Sequence, residues 1–250
     1  MRLDMVLKCL GSSSNGNCYI LRAVRSDEVL VIEAGISMQE VKKALKFKIS
    51  GIKGVLASHE HKDHSKYIKE FLKCGIKVLA LPSVFESQEI SSPFAKEIEP
   101  MHGYKVGGFK ILPLPVVHDV PCVGFIIEHE EMGKLILTTD TMMLEYKLPK
   151  LNHIMLEANY ADEILQYNID NGIVPVFMRE RLLHSHMELQ TTKEILRAND
   201  LSDVNEVILL HLSGNNSDAG QFRKEAQEAS GKPVYIAEPG FEINLSKEPY

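Results

Sequence analysis

The stretch Ser58-His59-Glu60-His61-Lys62-Asp63-His64 contains four potential metal ligands within six residues. It directly follows a short apolar run, residues 54–57, which predicts a buried strand. In an extended segment, residues two apart project to the same side, so His59 and His61 can bind one cation. The chain then has to turn, which can bring the aspartate and the last histidine of the stretch to a second cation nearby.

The residue types in this stretch favour a transition metal. Imidazole and carboxylate ligands suit zinc or another divalent transition metal better than calcium or magnesium. A solvated polar loop is the alternative interpretation, and a lone His-x-His would favour it. The complete His-x-His-x-Asp-His pattern instead predicts a metal site.

Length and composition are those of a soluble globular protein. The 250 residues can bury a full core, and 44% hydrophobic with 25% charged residues is ordinary. We expect one domain over residues 1–250, because no repeat, low-complexity segment or linker divides the chain. No apolar run approaches the length of a membrane span, and the residues after Met1 lack a signal-peptide core. A cytoplasmic protein without membrane contact is therefore expected.

The cysteines and the charge balance limit the classes of partner. The cysteines form no Cys-x-x-Cys pair, which predicts free, buried thiols in a reducing cytosol: Cys9, Cys18, Cys74 and Cys122. The chain has 28 basic and 34 acidic residues, a formal net charge of −6. This balance argues against a protein that binds long nucleic acid mainly through phosphate contacts, although a local basic face is compatible with it.

Hydrophobic periodicity predicts two strand-rich blocks with helices interspersed. Strands are predicted at 3–10, 17–24, 28–34, 54–57, 76–81, 97–100, 104–106, 109–117, 122–129, 134–139, 153–157, 204–211, 234–236 and 241–245. Helices are predicted at 37–47, 65–73, 83–91, 160–168, 188–198 and 217–229, with an irregular stretch through Pro175. This order favours two sheets packed face to face with helices outside, a fold in which residues on strand-end loops can meet at one edge.

Three further candidate ligands share one context. His118, Asp140 and His211 each stand at the predicted end of an apolar strand. Taken singly, each has a structural interpretation, as a hydrogen-bonded histidine or a turn-capping aspartate. Taken together with the cluster at 59–64, their shared placement favours metal binding.

The polar loop Gly11-Ser12-Ser13-Ser14-Asn15-Gly16 connects the first two predicted strands. Its backbone N–H groups could cradle an anion, but a plain hairpin turn explains the same residues equally well. The lysines of the helix predicted at 37–47 are interpreted as a solvated face rather than a binding patch.

These motifs resemble those of metallo-β-lactamase-fold hydrolases, and the matching motifs extend from Gly11 to Asn216. The resemblance implies an α/β (α+β) fold, a four-layer αββα metallo-β-lactamase sandwich formed by a single domain. It also implies two divalent metal ions, zinc or alternatively manganese. The implied ligands are His59, His61 and His118 for one ion, Asp63, His64 and His211 for the other, and Asp140 as a bridge. A histidine at position 61, where flavodiiron relatives have glutamate, argues for hydrolysis over redox chemistry.

Two later segments resemble the branch of transfer-RNA 3′-processing nucleases and their phosphodiesterase relatives. Residues 155–160 resemble the segment in which a glutamate orients a histidine, and residues 184–187 resemble the histidine motif itself. The resemblance implies that Glu157 orients His186, which would protonate the leaving oxygen. Glu188 stands where that branch usually has Ser or Thr, so His184 remains an alternative for the histidine.

The candidate catalytic residues are therefore His186, Glu157 and the metal ligand Asp63. The leaving oxygen of a phosphodiester is a poor leaving group, so a positioned acid contributes on the order of 10²–10⁴ in rate. A thioester needs no such acid, because a thiolate leaves readily. The pair favours a phosphodiesterase over a lactonase or thioesterase. Glu33 replaces an aspartate common in relatives, and we assign it none of the chemistry.

Two substrate classes remain in contention. One is cyclic mononucleotides, opened by small phosphodiesterases that include phage anti-Pycsar proteins, which remove a host immune signal. The other is DNA or RNA, cleaved by the similar bacterial exonuclease branch. No basic arm that could hold a transfer RNA is present, so a cyclic mononucleotide is favoured and long nucleic acid is the alternative. The candidate substrate contacts are Ser12, Ser14, Asn15, His184 and Asn216.

The resemblance also bears on the oligomeric state, and one function outside enzymology remains as an alternative. Many compact members of this branch are homodimers, so a homodimer is expected. An inactive metal-bearing binding module is the alternative outside enzymology. The complete ligand set counts against it, because an inactive site has no reason to keep every ligand.

Overall fold

The structure is a computed structural model, and it describes residues 4–248. The fourteen strands within these residues form two seven-stranded sheets. The first sheet contains β1 (Met5–Gly11), β2 (Cys18–Ala23), β3 (Glu28–Ile32), β4 (Ile52–Ala57), β5 (Val78–Ala80), β6 (Ala95–Glu97) and, from the end of the chain, β14 (Glu242–Asn244). Its strand order is β14-β1-β2-β3-β4-β5-β6.

The second sheet is formed by the middle and later parts of the chain. It contains β7 (Tyr104–Val106), β8 (Phe109–Val116), β9 (Cys122–His129), β10 (Gly133–Thr138), β11 (His153–Glu157), β12 (Glu206–Leu210) and β13 (Val234–Ile236). Its order is β13-β12-β11-β10-β9-β8-β7, so the two sheets have similar mixed topologies.

Eight α-helices within residues 4–248 complete the fold. They are α1 (Met38–Ala44), α2 (Lys62–Ser65), α3 (Ile68–Lys73), α4 (Pro82–Glu86), α5 (Asp162–Asp170), α6 (Phe177–Ser185), α7 (Leu189–Ala198) and α8 (Ala219–Ser230), with a 3-10 turn at Ile49–Gly51. None of them has the length and apolarity that crossing a bilayer requires.

Alternating side chains divide each central strand between two cores. In β11 and β12, Met155 and Ile208 join the core between the sheets, which also contains Phe125 of β9 and Leu7 of β1. The intervening residues pack instead beneath α7 and α8, where Phe222 belongs to the core. Because both faces are buried, these strands read as continuous apolar runs. The predicted layered α/β sandwich is confirmed.

Strand direction brings the functional loops to one edge. In the second sheet, β10, β11 and β12 are parallel neighbours. Strand β8 runs the same way as β10, because two antiparallel pairings through β9 separate them. The residues that follow β8, β10, β11 and β12 therefore emerge at the same edge, where β4 of the first sheet also ends.

The largest difference from the predicted elements is α6. It lies in a stretch for which the sequence predicted no element, because only Leu182 and Ser185 of its nine residues are buried. A helix with so narrow a buried face lacks the apolar period that reveals most helices. The helix predicted at 65–73 is the shorter α3, and α2 lies mostly before it, in the stretch that was predicted as a turn.

Other predicted elements differ at their ends. The helix predicted at 83–91 is the shorter α4, and the strand predicted at 97–100 lies at Ala95–Glu97. Residue 3, the predicted start of the first strand, lies outside the described residues. Cys74, predicted to be buried, is exposed because it lies at the C-terminal end of α3. Element ends depend on caps and neighbouring chain segments more than on the apolar pattern, which is why they are the less predictable part.

Gly35 lies where three segments pass each other closely. Its N–H donates to the carbonyl of Asn17 at 3.0 Å, and the N–H of Asn17 donates to the carbonyl of Asp63 at 2.7 Å. A Cβ added at Gly35 would lie 1.7 Å from the Asp63 carbonyl oxygen. The segment after β3, the loop before β2 and helix α2 are therefore joined through their backbones.

We expect Gly35→Ala to lower the free energy of unfolding by about 3 kcal/mol, because only backbone atoms could move to accommodate the new methyl group. Urea unfolding monitored by circular dichroism measures this change. Gly103→Ala is the matched control, since a Cβ there meets nothing within 4 Å. Equal losses in the two variants would contradict the close approach.

Candidate metal centre

Three histidines from the two sheets form the first part of the site. His59 and His61 follow β4, and His118 follows β8. One ring nitrogen of each lies within 4.8 Å of the others. His61 Nδ1 and His118 Nε2 are 3.3 Å apart. This equals the roughly 3.3 Å expected between ligands of a tetrahedral zinc ion with Zn–N bonds of about 2.0–2.1 Å.

Hydrogen bonds on the far side of two rings fix their orientation. His59 Nδ1 lies 2.9 Å from the Ser58 hydroxyl, and His118 Nδ1 donates to the carbonyl of Ser185 at 2.8 Å. In both rings Nε2 is the nitrogen left to face the centre. Such outer hydrogen bonds are typical of histidines that bind metals.

Four further residues form an adjoining cluster. They are Asp63, His64, Asp140 and His211, and one ligand atom of each lies within 4.8 Å of the others. His64 Nε2 lies 2.5 Å from Asp140 Oδ2, and His211 Nε2 lies 3.7 Å from Asp63 Oδ2. All seven residues predicted as ligands are thus brought to one edge of the sandwich.

The chemistry of these side chains fits two divalent metal ions. His59 Nε2 and His211 Nε2 are buried and have no hydrogen-bond partner among residues 4–248. A buried polar atom without a partner costs about 1–3 kcal/mol, so both atoms require something to bind. Imidazole nitrogens and carboxylate oxygens, without a thiolate, suit zinc and manganese.

Opposite charges at the centre depend on one another. Burial alone would raise the pKa of Asp140, but the nearby His211 and His64 hold it well below its usual value. Burial acts against the charged form of His211, yet Asp140 and Asp63 raise its pKa to about 9. The buried carboxylates therefore require positive charge beside them, which divalent cations would also supply.

Two candidate ligands that follow strands have a left-handed backbone conformation. Asp140 follows β10 with φ of 50°, and His211 follows β12 with φ of 54°. Glu33, which follows β3, has φ of 66°. The left-handed conformation costs a residue other than glycine about 1–2 kcal/mol. Such strain persists where the surrounding structure requires one direction of the side chain.

Glu157 and His186 form a pair directly beside the cluster. Glu157 ends β11, is fully buried, and has Oε1 at 2.7 Å from His186 Nδ1. Its other oxygen accepts hydrogen bonds from the N–H groups of Thr141 and Met187. His186 Nδ1 also lies 3.1 Å from Asp140 Oδ1. The pair is therefore held in place by its own strand and by the candidate bridging carboxylate.

The hydrogen bond to Glu157 defines the state of the His186 ring. Burial lowers the pKa of His186, but Glu157 and Asp140 outweigh it and raise the pKa to about 10. Nδ1 is the donor to the carboxylate, and no residue of the described chain accepts a hydrogen bond from Nε2. His184 is exposed in the last turn of α6. The structure thus brings His186 to Glu157, and not His184.

The predicted substrate contacts differ in their placement. Ser12 is buried: its hydroxyl accepts the N–H of His211 at 2.9 Å and bonds to the Tyr19 hydroxyl at 2.8 Å. Asn216 is also buried, and its side-chain oxygen accepts a hydrogen bond from Asn168 at 3.0 Å. These internal bonds favour a positioning role for both residues.

The loop that carries Ser14 and Asn15 connects β1 and β2, which are antiparallel neighbours. The N–H of Gly16 donates to the carbonyl of Ser13 at 2.8 Å, as in a turn. The loop is therefore a hairpin connection, one of the two interpretations open from the sequence. Both Ser14 and Asn15 are exposed, so their side chains remain available for contact with a ligand.

Three polar residues at the centre had no role predicted from the sequence. Asn17 Nδ2 lies 2.9 Å from His64 Nε2, and Asn159 Nδ2 donates to the carbonyl of His211 at 2.8 Å. Asp119 Oδ1 lies 3.0 Å from His118 Nε2. Each lies within or next to a segment quoted from the sequence, but only the fold shows which candidate ligand it contacts.

Glu33 lies behind the ligands, as its exclusion from the chemistry implied. Its Oε2 accepts the N–H of Ser58 at 3.3 Å and lies 3.4 Å from His64 Nδ1. Glu33 is completely buried. It therefore supports the orientation of the strand end and of one ligand ring.

Comparison with known proteins agrees with this arrangement. The chain is 23% identical over 252 residues to the exodeoxyribonuclease YycJ of Bacillus anthracis, and the alignment covers 94% of this chain and 92% of the relative. Among solved structures, the metallo-beta-lactamase fold protein YhfI of Bacillus subtilis has a TM-score of 0.75 at 18% identity, covering 96% of this chain and 98% of that one. The short form of human tRNase Z has a TM-score of 0.63 at 15% identity, covering 96% and 99%.

A family model gives the most direct assignment. The model described as the metallo-beta-lactamase superfamily matches residues 13–143, more than half of the chain. The matched segment contains six of the seven predicted ligands, and the sandwich fold agrees with it. The prediction of a metallo-β-lactamase-fold hydrolase from the sequence is thereby confirmed. The chain belongs to the metallo-β-lactamase superfamily.

Proposed function

We propose that this protein is a two-metal phosphodiesterase that hydrolyses phosphodiester bonds of nucleotides. The observation that carries the proposal is the contact of the Glu157–His186 pair with the metal centre. His186 Nδ1 lies 2.7 Å from Glu157 and 3.1 Å from Asp140, so the ring is held beside the candidate bridge. A lactonase or thioesterase would have no task for this pair.

The candidate ligands divide between two ions. One ion would be held by His59, His61 and His118, the other by Asp63, His64 and His211, with Asp140 between them. Two such ions, when bound, supply a nucleophile from water at neutral pH and neutralise charge on the phosphoryl oxygens. The protein's own contribution is to keep the ligand rings in fixed orientations, through Ser58, Ser185 and Asn159.

His186 supplies the proton that the departing oxygen needs. Its Nδ1 is committed to Glu157, so the proton is donated from Nε2, the nitrogen without a protein partner. Glu157 keeps the ring in one tautomer and one orientation. A positioned acid of this kind contributes on the order of 10²–10⁴ in rate when the leaving group is an alkoxide.

For the substrate, we place the end of a nucleic acid chain ahead of a cyclic mononucleotide. The similarity to an exodeoxyribonuclease along 94% of this chain supports the nuclease, the alternative in the sequence-based prediction. The net charge of −6 favours a compact anionic ligand, and so keeps cyclic mononucleotide hydrolysis of the anti-Pycsar type as the second candidate. The homodimer and the cytoplasmic location stay predictions.

Protein loaded with zinc or manganese is expected to hydrolyse bis(p-nitrophenyl) phosphate and to contain about two metal ions per chain. Removal of the metal by a chelator should abolish the activity. His118→Ala should reduce the metal content to about one ion, as measured by elemental analysis. His102→Ala, which changes an exposed histidine far from the ligands in the chain, is the control. A full metal content without turnover would contradict the phosphodiesterase proposal.

His186→Ala should slow a dinucleotide, whose leaving group is an alkoxide, on the order of 10²–10⁴-fold. The rate on bis(p-nitrophenyl) phosphate should fall far less, because p-nitrophenolate leaves without a proton. Glu157→Gln should show the same dependence on the leaving group, to a smaller extent. Equal losses on both substrates, or the same pattern in His184→Ala, would count against His186 as the acid.

A panel of substrates separates the two candidate classes. We expect turnover of linear DNA with free ends to exceed turnover of cyclic AMP, cyclic CMP and cyclic UMP, compared by kcat/KM at one salt concentration. Single-stranded and double-stranded DNA are tested separately, with a closed circular DNA as control for the requirement for an end. Faster turnover of any cyclic mononucleotide would reverse the order proposed here.

A further inference from the structure

Helix α6 reaches the metal centre at its C-terminal end. The carbonyl of Ser185, its last residue, accepts a hydrogen bond from His118 at 2.8 Å. The next residue, His186, contacts Glu157. The final turn of α6 is therefore anchored at the rim of the centre, and the rest of the helix extends away from it.

The contacts of α6 assign a direction to each of its sides. Leu182 and Ser185 are its buried residues. Arg179 lies on one flank and contacts α5, with nitrogen–oxygen distances of 2.7 Å to Asp162 and 3.1 Å to Gln166. The opposite flank consequently faces away from α5.

That opposite flank carries three exposed residues at helical spacing. Phe177, Arg181 and His184 are four and three residues apart, so they lie along one side of the helix. We call them the α6 stripe. The Phe177 side chain is 74% exposed, and Arg181 forms no ion pair with any residue between 4 and 248.

The residue types of the α6 stripe match single-stranded nucleic acid. An exposed aromatic ring stacks on bases, which improves affinity on the order of 5- to 150-fold for each base. An arginine without a protein partner binds phosphate, and it does so through two parallel hydrogen bonds where the geometry allows. On a chain with a net charge of −6, such a local contact counts more than the overall charge.

The length of the α6 stripe also suits a short segment of single-stranded nucleic acid. From Phe177 to His184 the helix rises about 10 Å, at 1.5 Å per residue. Stacked nucleotides are spaced by about 3.4 Å along one strand, so the stripe spans about three of them. Phe177 is on the order of 14 Å along the chain from His186, beyond the reach of a cyclic mononucleotide held at the centre.

We propose that the α6 stripe binds the single-stranded nucleotides adjacent to the scissile phosphate, with Phe177 stacked on a base and Arg181 on a phosphate. This inference rests on the proposed nuclease function and adds to it a binding surface outside the metal centre. It gives the enzyme a preference for nucleic acid ends that carry a single-stranded extension of a few nucleotides.

The main experiment compares two substrates in the metal-loaded protein. The ratio of kcat/KM for a single-stranded oligonucleotide to that for bis(p-nitrophenyl) phosphate should fall at least 10-fold in Phe177→Ala and in Arg181→Gln. The change should come mainly from KM on the oligonucleotide, because the stripe binds nucleotides that do not react. Fluorescence anisotropy with a labelled oligonucleotide measures the same loss as a change in Kd.

Salt dependence gives an independent measurement for the arginine. Each phosphate contact with a single strand contributes about 0.7 to the slope of log K against log salt concentration. Arg181→Gln should therefore reduce the slope by about 0.7, whereas Phe177→Ala should leave the slope within error.

Val176→Ala and Leu183→Ala are the matched controls, since both side chains are exposed on the other flank of the same segment. They should change the substrate ratio less than two-fold. Equal changes from the two flanks, or no change from the α6 stripe, would overturn the inference. A shift in the monomer–dimer equilibrium on sedimentation, without a change in the ratio, would make the surface a protein interface and overturn it too. Absence of all turnover by the unsubstituted protein counts instead against the proposed function.

Discussion

The buried carboxylate of Asp140 is the group on which the rest of the centre depends. It lies 4.0 Å from His59, 2.5 Å from His64 and 3.1 Å from His186, and so connects the three-histidine cluster, its own cluster and the acid pair. A buried charge without a compensating charge costs several kcal/mol. The histidines around it, and the cations that the site fits, are therefore a condition for placing it there. The other candidate ligands are arranged around this carboxylate.

The two-sheet architecture explains why such a centre can be assembled. Each sheet contributes ligands from loops at its edge, and the core between the sheets holds those edges together. The contacts through Gly35 join the first hairpin to helix α2 at the same place. Because the ligands come from separate strands, the geometry of the centre is only as rigid as the packing of the whole sandwich. A loss of stability in the fold would therefore also displace the candidate ligands.

The candidate ligands could be selected from the sequence because their signal is local. Four of them lie within residues 59–64, and the other three end apolar strands, so pattern and position both point to them. Asn17 carries no such signal, because its contact with His64 spans 47 positions and exists only when the loop before β2 meets helix α2. Helix α6 was missed for a related reason: its C-terminal end, the contacts of Arg179 with α5 and one narrow buried face hold it, and it has no apolar stripe. Ser12 and Asn216 show the converse, since both lie in polar segments that predicted contact with substrate, but their side chains are hydrogen-bonded within the protein.

The left-handed conformations at Asp140 and His211 have a consequence for how this protein can change over time. Glycine would relieve about 1–2 kcal/mol of strain at each position, but it would remove a candidate ligand. Both side chains are also buried, and the charge of each offsets that of the other, so a glycine at one position alone would leave a cavity and an uncompensated charge. The two positions are therefore constrained together, and the backbone strain persists because the buried pair requires it.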